Sequence, residues 1–180
     1  MKIAPSDVAA TMSARVQASA ALTEALLDDP FHESITEGLK HDPEARQRGL
    51  MSYFQYSMAE AERKESSAKS AFLAETLGSR GTANHYRIVR FMAPLAARVV
   101  PGDVWYLSII GILPSAQGRV LGASPLAGTL AEASQANTSC YLETFYVWQF
   151  EILRAARIST GKQASRTHHE QNVRDLMRDH

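Results

Sequence analysis

The chain has 180 residues, 45% of them hydrophobic and 21% charged, enough apolar material for one sizeable core and a single domain spanning 1–180. Nineteen Lys and Arg balance nineteen Asp and Glu, so there is no basic surplus to draw nucleic acid or an anionic membrane. One cysteine, Cys140, excludes an internal disulfide framework and fits a reducing compartment.

Taken in order, residues 2–4 read as a short first strand. Ser6-Asp7 then caps an Ala-rich helix that reaches about Leu27. Asp7, Arg15 and Gln17 interrupt any signal-peptide core, and no apolar run approaches the ~18 residues of a membrane helix, so a cytoplasmic protein is expected. Asp28-Asp29-Pro30 breaks the first helix, and a short helix follows over residues 31–39. Asp42-Pro43-Glu44 opens the next: a capping residue, Pro in the first turn, then an acid near the positive end. Leu50, Tyr53, Phe54, Ser57, Met58 and Ala61 repeat on one face, with Arg46, Arg48, Gln55, Glu62 and Arg63 opposite. Residues 60–70 read as a solvated helix or loop. A further helix stops at Gly78-Ser79-Arg80-Gly81, and residues 83–99 make another, which Pro94 should kink or split.

The stretch from residue 104 to 130 organises the rest. Residues 104–113 are a nearly unbroken apolar run bounded by Pro and Gly, the pattern of a strand buried on both faces. A Gly-bearing turn follows over 114–123, then a helix with Leu126, Leu130 and Ala133 on one face. Such a turn is an anion site in waiting, because unpaired N–H groups and the positive end of the helix dipole point the same way. Cys140 lies within a second apolar strand pattern and is expected to be a buried, inert thiol. Residues 145–156 read as a helix. Two final strands flank the turn at His168-His169-Glu170, whose adjacent His side chains point to opposite faces of a strand and make no metal site. His32, His41, His85 and His180 are scattered.

Residues 103–144 resemble the acyl-CoA-binding core of the GNAT N-acetyltransferase superfamily, whose signature there is Gln/Arg-x-x-Gly-x-Gly/Ala. Gln117 and Gly122 fit the first and last positions; Val120 stands where the family has Gly. Residues 106–114 and 140–144 resemble the two flanking family strands. The resemblance implies an α/β, GNAT-like fold: a mixed central sheet flanked by helices, with a helix-rich N-terminal half. It also implies two antiparallel strands before the cofactor strand, and residues 43–99 contain no convincing candidate for them. If they are missing, the sheet has an exposed edge on which a homodimer can form.

The function implied is transfer of an acetyl group from acetyl-CoA, a co-substrate, to a primary amine of a small molecule or peptide. By this resemblance Ile110, Gly111 and Ile112 pair through their backbone with the pantetheine arm. Backbone N–H groups of Gln117, Gly118, Arg119, Val120, Leu121, Gly122 and Ala123 hold the pyrophosphate. Arg119 is the only basic side chain in the turn, either a phosphate partner or a solvated residue. Glu143, at the end of the second strand, is the candidate proton acceptor for the amine. The family's usual acid, a Tyr, falls on Leu153 by position, leaving Tyr146 as the candidate. Pro125 is a second departure: it removes a helical hydrogen bond if the helix starts near Val120, but is a comfortable start if the helix begins near Ser124. Together Val120, Pro125 and Leu153 define the rival reading, a catalytically impaired protein that binds acyl-CoA or a protein partner. A helical regulatory domain is a third.

Overall fold

A computed structural model describes residues 5–63, 68–99, 104–117, 119 and 123–141. Among the described residues five α-helices dominate: α1 (Pro5–Leu26), α2 (Pro30–Ile35), α3 (Pro43–Arg63), α4 (Lys69–Val99) and α5 (Ala123–Gln135). Two strands of two residues each, β1 (Trp105–Tyr106) and β2 (Cys140–Tyr141), pair in parallel. This corrects the expected α/β fold, because among the described residues there is no mixed central sheet flanked by helices. Residues 43–63 and 69–99, where the two antiparallel strands would have to lie, are helical. The chain divides into two compact units, residues 1–85 and 86–180.

In the first unit local signals set the helix ends. Asp29, with φ −69 and ψ 134, caps α2 by accepting from the N–H groups of Phe31 and His32 at 3.0 and 3.3 Å, and Pro30 occupies the first helical position. Thr36 closes α2 by donating its hydroxyl to the His32 carbonyl at 2.6 Å, and a single 3-10 turn, Glu37–Leu39, follows. Asp42 Oδ1 accepts from the Ala45 N–H at 2.9 Å and caps α3. On α3 the expected face is buried at Leu50, Tyr53 and Phe54, and α1 packs against this helix. Leu26, Ile35, Leu73 and Leu77 are buried as well.

Two expectations for α3 change. Arg46 is not on a solvated face; it is half-buried, its Nε donates to Thr36 Oγ1 at 3.1 Å, and its Nη2 donates to the Leu27 carbonyl. Glu60 is not simply solvated either, because Lys69 Nζ lies 2.8 Å from its Oε2. Beside that pair the Tyr56 and Phe72 rings stack at 4.1 Å.

The break in α4 comes at Gly78, where φ is 68 and ψ 179, a conformation essentially restricted to glycine. Pro94 lies within helical backbone, so it does not split the helix. Three positions beyond the break, Gly81 meets the end of α2: a Cβ on it would sit 2.1 Å from the Ile35 carbonyl oxygen.

In the second unit Ile88, Leu126 and Ala133 are buried. The helix α5 ends in a left-handed residue, Asn137 at φ 50, with Thr138 N–H bonded to the Ala133 carbonyl at 2.9 Å and Asn137 N–H to the Ser134 carbonyl at 3.1 Å. That six-to-one, five-to-two pair is a Schellman cap, and it turns the chain into β2. No helix among the described residues is long and apolar enough to cross a membrane.

Candidate functional site

The sequence-predicted site lies between β1 and α5. Trp105 pairs with Cys140 and Tyr106 with Tyr141. The Trp105 N–H donates to the Ser139 carbonyl at 2.9 Å and the Leu107 N–H to the Tyr141 carbonyl at 2.8 Å. Parallel strands need a crossover, and here it carries the turn and α5. The rings of Tyr106 and Tyr141 stack on one face, centroids 5.7 Å apart.

The strand itself is much shorter than its apolar run. Trp105 and Tyr106 are 37% and 53% exposed, so β1 is not buried on both faces. Beyond the Leu107 N–H, residues 108–113 have no ladder partner among the described residues, and Ile110, Gly111 and Ile112, expected to pair like a strand with the pantetheine arm, lie in irregular backbone. Ile110 and Ile112 are half-buried and Gly111 is exposed. Apolar content favoured a strand; only neighbouring strands on both sides would have extended it. Cys140 is half-buried rather than buried.

After residue 113 the chain tightens into a 3-10 turn, Pro114–Ala116, with Pro at its first position. Gln117 then becomes extended, and its side-chain Nε2 donates back to the Ile112 carbonyl at 3.2 Å. The first position of the signature therefore pins the turn to the end of the apolar run and occupies one backbone acceptor at Ile112. Because that bond is exposed, water or a ligand can exchange with it. Arg119 is exposed. The described part of the helix runs from Ala123, and Pro125 stands in its first turn. On α5, Leu126 and Ala133 are buried and Leu130 is half-buried, as the periodicity predicts.

Gly118, Val120, Leu121, Gly122, Glu143 and Tyr146 lie outside the described residues, as do Leu153, His168, His169, the strand expected at 2–4, the helix at 145–156 and both expected final strands. Among the described residues no group of three His, Cys, Asp or Glu is placed to hold a metal ion.

A second arrangement, in the first unit, is invisible in the sequence, where its histidines look scattered. Phe31, His32, Tyr53, Phe54 and His85 form one cluster of rings. His32 lies 5.1 Å from Phe54 and 5.2 Å from Phe31, while His85 lies 5.9 Å from Phe31 and 6.2 Å from Tyr53. Asp29 Oδ1 is 2.9 Å from His32 Nδ1, giving that imidazole a carboxylate partner. Burial pushes the Tyr53 phenol up to about 12; a hydrogen bond from Ser57 opposes this and Glu60 adds to it. Burial pulls the His85 imidazole down to about 4, with Lys69 adding to the shift and Glu60 opposing it. The signal for half of this cluster was present in the Tyr53-Phe54 face of α3; the rest depends on contacts far apart in the chain.

No protein-family model and no curated protein matches the chain.

Proposed function

We propose that the chain binds acetyl-CoA at the turn between β1 and α5 and transfers the acetyl group to a primary amine. The observation that supports this reading is the connection itself: strand, tight turn, helix and returning parallel strand, in the order that the GNAT-like motif requires. Phosphate oxygens would meet backbone N–H groups from Gln117 to Ala123 at the positive end of α5, with Arg119 as counter-charge. Because the backbone makes these contacts, Val120 adds bulk without removing a donor.

On this reading the neutral amine attacks the thioester carbonyl. A backbone N–H of Ile110, Gly111 or Ile112 stabilises the oxyanion, and Glu143 takes the proton that the nitrogen loses. As the tetrahedral species collapses, the C–S bond breaks and Tyr146 protonates the departing thiolate. No covalent enzyme intermediate is needed, in keeping with a single, half-buried cysteine. A cytoplasmic location belongs to the same reading.

One observation favours a second reading, an acyl-CoA-binding or protein-interaction module without turnover: helices α3 and α4 occupy the stretch where two family strands would form the acceptor side. A thiol-release assay with acetyl-CoA and a panel of primary amines separates the two. Transfer predicts acceptor-dependent release that falls at least ~100-fold in Glu143→Gln. Cofactor binding without release for any amine would instead establish the second reading.

A further inference from the structure

Lys69 and His85 are sixteen positions apart on α4. In a straight helix they would be separated by roughly 24 Å, well beyond the ~8–10 Å over which exposed charges act at ordinary salt. Yet both meet a short stretch of α3, Lys69 at Glu60 and His85 at Tyr53, seven positions apart. The elbow at Gly78 accounts for this, because it turns the second arm of α4 back towards the first.

That second arm, residues 79–85, is held on α2 and the 3-10 turn by a short set of contacts. Arg80 Nη2 lies 2.9 Å from Glu37 Oε1, Gly81 seats against the Ile35 carbonyl, and Asn84 Nδ2 donates to the Ser34 carbonyl at 2.8 Å. His85, only 4% exposed, closes the set against Phe31 and Tyr53. We propose that this arm is an acid-sensitive latch: a proton taken up by His85 drives residues 79–85 off the Phe31–Tyr53 rings, with Gly78 as the hinge.

The groups around His85 set the direction. From α2 comes Phe31, whose other ring neighbour His32 is already paired with Asp29; from α3 come Tyr53 and Glu60; from the first arm of α4 comes Lys69. Glu60 is the carboxylate that would welcome a charged imidazole, but it is engaged by Lys69 at 2.8 Å, and Lys69 itself repels the new charge. With a latched imidazole that titrates near 4 and an open one near 6.5, lowering the pH from 7 to 5 raises the open population on the order of 10-fold.

Hydrogen exchange of the full chain at pH 7 and 5, corrected for the intrinsic exchange rate, tests the latch. The wild type should lose protection in residues 79–85 on the order of 10-fold while α1 and α3 change less, and His85→Gln should show no such loss. Wild-type protection that does not change with pH overturns the proposal, and so does an equal loss in His85→Gln. Should His85→Gln fail to fold, His85→Phe replaces it. Should both fail, the NMR titration of the His85 ring decides: a midpoint well below 6.5 supports the latch, and a midpoint near 6.5 overturns it.

Discussion

Gly78 and Gly81 lie three positions apart and constrain the chain in different ways. A Cβ at Gly78 would meet nothing within 4 Å, so Gly78→Ala loses stability only through backbone conformation, about 1–3 kcal/mol. A Cβ at Gly81 would collide with the Ile35 backbone, so Gly81→Ala must push α4 off α2, at a cost of about 3 kcal/mol or more. Urea unfolding of the two variants should rank them in that order; equal losses would mean that the close seating at Gly81 is wrong. His85 gives a pH dependence at the same scale. Its folded value lies below its unfolded value, so its contribution is fully present above about pH 6.5 and is lost as the pH falls towards 4. The loss is on the order of 2–3 kcal/mol. The melting temperature of wild type should therefore drop across that interval more steeply than that of His85→Gln. Arg46 is the residue the sequence misplaced most clearly. Arg46→Ala removes the donor to Thr36 and to the Leu27 carbonyl, and should cost roughly 2 kcal/mol. Its approach to Asp28 at 3.9 Å adds little, because that carboxylate is exposed.

Among the elements, helix ends were the most legible feature. Asp42-Pro43, Asp28-Asp29-Pro30 and the Gly78 stop all act through caps and dihedral limits within a few residues, and the structure shows each at its expected place. Strands were the least legible. Residues 104–113 offered apolar character without alternation, and such a run becomes a strand only where other strands flank it; among the described residues the pairing stops at Trp105 and Tyr106, with one further bond from the Leu107 N–H. The ring cluster failed to show for a related reason: His85 joins Phe31 and Tyr53 only through contacts far apart in the chain. The Schellman cap has a local signal too, an Asn at the left-handed position just after a helical run. Asn137→Ala should destabilise the second unit by about 1 kcal/mol, seen as a lowered unfolding midpoint, since Ala tolerates positive φ poorly.

For the molecule as a whole, the first unit is a helical body whose buried face is well defined, and the second carries the crossover that supports the cofactor reading. The corrected fold narrows what that reading rests on. It depends on residues 105–141 and their turn, and no longer on a family-like sheet. Calorimetric titration of the full chain with acetyl-CoA at moderate salt tests it most directly. The account predicts micromolar binding that is abolished in Gly122→Glu, where a carboxylate is placed in the path of the pyrophosphate. An absence of heat at millimolar acetyl-CoA, with the protein folded, would contradict it and leave the crossover as a packing unit alone.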